Sequence, residues 1–196
     1  GSLNGFININ GKQGHVAYVK NNIIHDLDMI INNLKQLELE FQQVAQDFPK
    51  TSFNITYIHS GDGTTNIVPG DIDIQFNFRY PPNINYLDLI KATEASLKTI
   101  NIKHSINWNN SAKPYYSSSK KLINIFTKVI QNECNITPKV DASGGTSDGR
   151  FLIDLNCEMI EFGLLNNTIH QINEHANIHD LIKLGKIYEA VLLVDY

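Results

Sequence analysis

The sequence predicts an α+β domain, an antiparallel sheet with two helices on one face, followed by one half of an α/β layer. Three observations carry that prediction. Apolar and polar residues alternate over 3–10, 53–58 and 72–80, the period of half-buried strands. Ile23, Leu27, Ile30, Leu34, Leu37 and Phe41 recur at helical spacing, and so do Tyr86, Ile90, Thr93, Leu97 and Ile100. From about residue 115 onward the pattern changes to helix and strand in alternation.

The chain opens on the 3–10 strand, turns at Gly11-Lys-Gln-Gly14, and continues as a second short extended piece over His15-Val-Ala-Tyr18. The long helix over 23–41 ends before Phe48-Pro49. The 53–58 strand leads into a polar Gly-rich loop, Gly61-Asp-Gly-Thr-Thr-Asn66, and then a turn at Val68-Pro69-Gly70. In the 72–80 strand Asp73, Gln75, Asn77 and Arg79 share the face opposite the apolar residues. Pro81-Pro82 breaks the chain before the second helix, and 103–108 reads as a strand. The order is therefore β(β)αββαβ.

The segment 112–119 looks like a boundary, with serines placed to cap a helix over 122–131. A short strand at 139–141 enters the turn Ser143-Gly-Gly-Thr146, and a helix is expected from 147 to 155. A buried strand at 158–162 precedes a polar loop containing His170. Asn177 can cap a last helix, with Leu181, Leu184, Tyr188 and Val191 inward. Two strands and three helices cannot cover both faces of a parallel sheet, so this part is half of a domain.

Composition narrows the function. With 196 residues, 42% hydrophobic and 18% charged, the chain is an ordinary globular protein. A net charge of -4 provides no basic field and argues against a general nucleic-acid binder. No apolar run spans a bilayer and no signal-peptide core is present, so a cytoplasmic protein without a membrane partner is expected. Cys134 and Cys157 are not spaced as a metal knuckle and read as reduced core residues.

Two stretches carry chemistry. Free backbone N–H groups of the 143–146 turn, with the Thr146 and Ser147 hydroxyls, could hold a carboxylate or phosphate at a helix N-terminus. His170, delivered just past a strand end, is a candidate metal ligand or proton shuttle, although a lone loop histidine is more often only solvated.

Five stretches then occur in a telling order: Gly14-His-Val-Ala-Tyr18, Asn66-Ile-Val-Pro-Gly70, Phe76-Asn-Phe-Arg79, Gly144-Gly-Thr-Ser-Asp-Gly-Arg-Phe151 and Thr168-Ile-His-Gln-Ile-Asn-Glu174. Together they resemble the C-terminal half of the succinyl-diaminopimelate desuccinylases, dinuclear zinc relatives of the aminoacylase-type metallopeptidases. The resemblance implies an α+β lid, or dimerisation, domain over 1–113. It makes residues 114–196 the C-terminal portion of a zinc hydrolase catalytic domain, an incomplete α/β half.

By that resemblance His170 is a ligand to one of two zinc ions (cobalt being possible), its second nitrogen oriented by Glu174 or a nearby carbonyl. His15 is the lid histidine that stabilises the oxyanion in the partner subunit's site. Tyr18 and Asn66 touch substrate across a homodimer formed through the lid. Arg79, Ser111, Gly145, Thr146 and Asn166 contact a small dicarboxylate amide, while Asp148 and Arg150 brace the turn. The implied reaction is hydrolysis of N-succinyl-LL-2,6-diaminopimelate to succinate and LL-2,6-diaminopimelate, in lysine and peptidoglycan precursor synthesis.

The family's other zinc ligands and its general-base glutamate match nothing in this sequence. His175, His179, Glu158 and Glu161 do not reproduce its His-x-Asp pattern. The chain is expected to be a truncated enzyme, inactive alone and supplying one metal ligand. The alternatives are a related deacylase, such as an acetylornithine deacetylase, and a dimerisation module without chemistry.

Overall fold

The computed structural model describes residues 1–45, 47–116, 120–152, 155 and 157–195. It divides into two units. The first comprises Gly1–Tyr115 with Ala142–Thr146, the second Tyr116–Asp141 with Ser147–Tyr196.

The first unit is built on a four-stranded antiparallel sheet. Its strands are β1 (Ser2–Asn10), β3 (Ser52–His59), β5 (Asp71–Arg79) and β6 (His104–Ala112), in the order β3-β5-β1-β6. A two-stranded ribbon, β2 (Gly14–His15) with β4 (Ile67–Val68), completes the β structure. Helix α1 (Leu27–Glu40) follows a 3-10 turn at Ile23–Asp26, and α2 (Tyr86–Thr99) precedes β6.

The alternation in sequence becomes two faces in space. Leu3, Ile7 and Ile9 of β1, Phe53 of β3 and Ile72, Ile74, Phe76 and Phe78 of β5 are buried against the helices. From α1 come Ile30, Leu34 and Leu37, and from α2 Leu89 and Leu97. Thr93, also buried, donates its hydroxyl to the Leu89 carbonyl at 2.7 Å, so the helix satisfies its own polar atom. Asn85 caps α2 by accepting from the Leu87 N–H at 3.0 Å.

Thr51 sits 2% exposed with a hydroxyl that finds no partner among the described residues. Its isostere without the polar atom should therefore be tolerated. Thr51→Val is expected to leave stability unchanged or raise it by about 1 kcal/mol, read from the urea midpoint. A loss of that size would show the hydroxyl to be bonded in solution. Tyr80 gives a second check. Burial raises its phenol above the usual value, the Asn110 amide at 2.9 Å opposing in part. The folded state thus holds the proton more tightly than the unfolded chain. Stability is fully present below about pH 10 and falls as pH rises further, a slope that Tyr80→Phe should flatten.

The second unit packs α3 (Lys120–Cys134) on α4 (Ile178–Leu192). Val129, Ile130 and Ile187 form its small core. Phe126, Phe162 and Tyr188 close a ring of aromatic contacts at 5.6–6.2 Å. Asn177 caps α4 by accepting from the His179 N–H at 2.8 Å.

Several expectations are corrected. The extended piece at 15–18 stops at His15, because the Tyr18 and Val19 N–H groups both turn back to the His15 carbonyl. Segments 139–141 and 158–162 form no ladder, since the described residues offer neither a partner strand. Instead Glu158 accepts the Leu122 N–H at 2.9 Å and satisfies the start of α3. Over its described part the helix from 147 is 3-10 rather than α, at Asp148–Phe151 and again at Leu155. Glycine and aspartate there are poor helix formers. Leu181 and Tyr188 are exposed, while Ile187 is buried. Cys134 is half-buried and packs against the small core of the second unit, whereas Cys157 is exposed and not a core residue. The serine cap at 117–119 and residues 153 and 154 lie outside the described residues.

Candidate functional site

The candidate residues of the first unit collect at opposite ends of its sheet. At one end the paired strands β1 and β5 lead into the ribbon, where Gly14 pairs with Val68 and His15 with Ile67. The Val16 N–H donates to the Asn66 carbonyl at 3.1 Å, so Asn66 is brought next to the His15 strand from a distant part of the sequence. The loop leading in is shaped by Gly61 and Gly63, both at positive φ. Asp62 there accepts from the Thr64 N–H at 3.0 Å, and the Thr64 hydrogen bonds hold its carboxyl below the usual range.

His15 is exposed, and its Nδ1 accepts the Ala17 N–H at 3.2 Å. A nitrogen that accepts carries no proton, so the neutral ring bears its proton on Nε2. The Tyr18 ring lies 5.5 Å away and is itself 83% exposed. This end of the unit presents a hydrogen-bond donor and a phenol outward, with little of the chain's own polypeptide around them.

Arg79, Ser111 and Thr146 gather at the other end. Ser2 pairs with Arg79 at that end of β1, whereas Asn10 pairs with Asp71 at the far end. Arg79 Nη1 donates to the Thr146 hydroxyl. The Ala142 N–H donates to the Asp47 carbonyl at 2.9 Å, which ties the 142–146 segment to this unit. Gly144 has φ of 115°, and neither it nor Gly145 has an atom within 4 Å of where a Cβ would stand. The glycine turn is therefore open, and only Gly144 needs its glycine on backbone grounds. A guanidinium, two hydroxyls and a bare turn are a suitable set for a carboxylate. Among the described residues the helix expected from 147 is only short 3-10 structure, at Asp148–Phe151 and Leu155, too brief to build a helix dipole. The Ser147 hydroxyl is engaged with the Gly149 N–H at 3.0 Å and with Glu161.

In the second unit Asn166 and His170 lie on one exposed loop. His170 has φ of 61°, left-handed backbone that His adopts more readily than most residues. Its N–H donates to Glu174 Oε2 at 3.1 Å, so Glu174 holds the backbone of His170. Thr168 closes the loop, donating to the His175 carbonyl at 3.0 Å and accepting its N–H at 3.2 Å. Among the described residues no group of three or more His, Cys, Asp or Glu is placed to hold a metal ion. One imidazole does not fit a dinuclear zinc centre, and no catalytic step can be routed through metal on these residues alone. No helix among the described residues is long and apolar enough to cross a membrane.

One feature escaped the sequence reading, a hydrogen-bonded cluster of Ser2, Asn4 and Asn77 beneath Ser111. Its only sequence signal was Asn77 on the polar face, two residues before Arg79.

The model of the peptidase dimerisation domain family matches residues 1–105. A succinyl-diaminopimelate desuccinylase of Acinetobacter baylyi is 40% identical over 194 residues, 98% of this chain and 51% of that protein. One from Acinetobacter baumannii is 39% identical over the same shares. The chain thus spans about half the length of these relatives. Among solved structures, an M20 family metallo-carboxypeptidase from Sulfolobus solfataricus superposes with a TM-score of 0.71 at 16% identity, over 97% of this chain and 57% of that one. A di-peptidase from Saccharomyces cerevisiae gives 0.74 at 16% identity, over 97% and 53%. The antiparallel sheet with both helices on one face and the match over residues 1–105 agree: the chain belongs to the peptidase dimerisation domain family.

Proposed function

We infer that this chain is the lid-bearing half of a metal-dependent amide hydrolase of the succinyl-diaminopimelate desuccinylase type, working as a homodimer through its lid. Residues 1–113 are the lid and 114–196 the C-terminal part of the catalytic domain. The observation that supports this most is the 40% identity extending over 98% of the chain.

The geometry adds a reason for the dimer. Strands β1 and β5 are nine residues long, so their two ends stand about 27 Å apart. His15 lies beyond one end and Arg79 with Thr146 at the other. A single protomer cannot close both on one small substrate. His15 therefore serves the partner's site, donating from Nε2 to the oxyanion, with Tyr18 and Asn66 beside it. Arg79, Ser111, Gly145 and Thr146 hold the substrate carboxylates within their own protomer. His170 would give one imidazole to a zinc centre completed by residues outside this sequence. Lewis acidity at the amide carbonyl is the chemistry such a centre would supply.

The test is a substrate panel. Joined to an upstream half like that of its relatives, the chain should release succinate from N-succinyl-LL-2,6-diaminopimelate in preference to deacetylating acetylornithine. The reverse preference would replace the substrate, and full turnover by the 196-residue chain alone would remove the need for any further ligands.

A further inference from the structure

We propose that Asn77 is a positioning residue that turns the Ser111 hydroxyl outward as a hydrogen-bond donor. This rests on the reading of the Arg79 end of the sheet as a carboxylate-binding face. Asn77 belongs to the Phe76-Asn-Phe-Arg79 stretch, two residues before Arg79 on the same face of the strand.

The argument is a count of protons. The Asn77 amide nitrogen has two, and two acceptors lie close: Ser2 Oγ at 2.9 Å and Asn4 Oδ1 at 2.8 Å. The Leu3 carbonyl, at 3.4 Å, is a weaker third. Both close acceptors lead to Ser111. With its oxygen held by Asn77, the Asn4 amide has its nitrogen toward Ser111 Oγ, at 3.3 Å. Ser2 Oγ, in a residue only 3% exposed, lies 3.1 Å from Ser111 Oγ.

Ser111 has a single proton and, in this structure, two acceptors at 3.1 Å, the Ser2 carbonyl and Ser2 Oγ. Pointed inward, it offers a carboxylate nothing but lone pairs. However, Ser2 Oγ already accepts from Asn77 and keeps a proton of its own. When a carboxylate arrives, the Ser2 hydroxyl can donate to Ser111, as Asn4 already does, and the Ser111 proton turns out to the ligand. Asn77 thus feeds two donors into Ser111 Oγ, and a hydroxyl that accepts twice is polarised to donate. Arg79, paired with Ser2 across the ladder and on the same face as Asn77, supplies the charge beside it.

The experiment uses the 196-residue chain and succinate as probe, with binding followed by NMR. Ser111→Ala is expected to weaken succinate roughly tenfold, the size of one hydrogen bond to a charged group, and Asn77→Ala by a similar factor. The double variant should be no weaker than either single one. Ser2→Ala, a smaller change in the same relay, should reproduce part of the loss and serves if Asn77→Ala fails to fold. Independently of ligand, the Ser111 side-chain couplings should report one rotamer in the unaltered chain and an average in Asn77→Ala. Multiplying losses in the double variant, or an unchanged Ser111 rotamer in Asn77→Ala, overturns the proposal. If succinate moves no signal near Arg79, Ser111 and Thr146, the carboxylate-face reading falls instead, and the couplings still decide whether Asn77 positions Ser111.

Discussion

Replacing Phe76 with alanine is expected to lower the unfolding free energy of the sheet unit by about 3–5 kcal/mol. The ring is 1% exposed and stands at the centre of an aromatic cluster, 5.4 Å from Phe53, 5.7 Å from Phe78 and 5.6 Å from Trp108. The last two contacts are edge-to-face, the arrangement in which aromatic pairs gain most beyond burial. Phe76 also lies across Gly5, its cross-strand partner, where a Cβ would come within 2.2 Å of the ring. Removing the ring loses its transfer energy and leaves a cavity that the sheet backbone cannot close. Against a typical stability of about 5–15 kcal/mol this is a large fraction. Urea denaturation should show the midpoint falling by roughly 2 M. A near-normal midpoint would mean that this core is not packed as described. Gly5→Ala, harmful alone, should hurt less when Phe76 is already alanine, because the clash and the cavity share one volume.

The second large effect concerns catalysis and follows from the opposite ends of the sheet. In the dimeric enzyme proposed above, His15→Ala and Arg79→Ala should each lower kcat/KM by roughly 10²–10³, the loss typical of an oxyanion donor or a charged anchor. Mixed in equal amounts and allowed to exchange, the two inactive proteins should recover activity. Half of the dimers would be mixed, and each would contain one site with both residues intact, so the expected recovery is about a quarter of the wild-type rate. If His15 and Arg79 worked within one protomer, no mixture would regain anything. The two arrangements therefore differ by the whole of the recovered signal.

Much of this was legible because burial leaves a period in the sequence. The alternation through Ile72, Ile74, Phe76 and Phe78 named one face of β5, and all four are buried. The stripe Ile30, Leu34 and Leu37 did the same for α1. Periodicity needs length, and it failed where length was short. The ribbon strands are two residues each, too brief to show any pattern, so β4 was read only as a turn. Segments 139–141 and 158–162 had strand-like residues but no partner among the described residues, and a strand is a property of a pair. The helix expected from 147 rested on a few apolar residues around glycine, and the described part is 3-10 rather than α.

The residue types were enough to nominate the candidate chemistry and the ordered stretches that carry it, because side-chain identity and spacing are written along the chain. Where those residues stand relative to one another was not. Antiparallel register put Arg79 beside Ser2 and carried His15 past the far end of the same strand pair, and hydrogen-bond geometry ran Asn77 through Ser2 and Asn4 to Ser111. Such distances are set by pairing between residues dozens of positions apart, which no local pattern encodes.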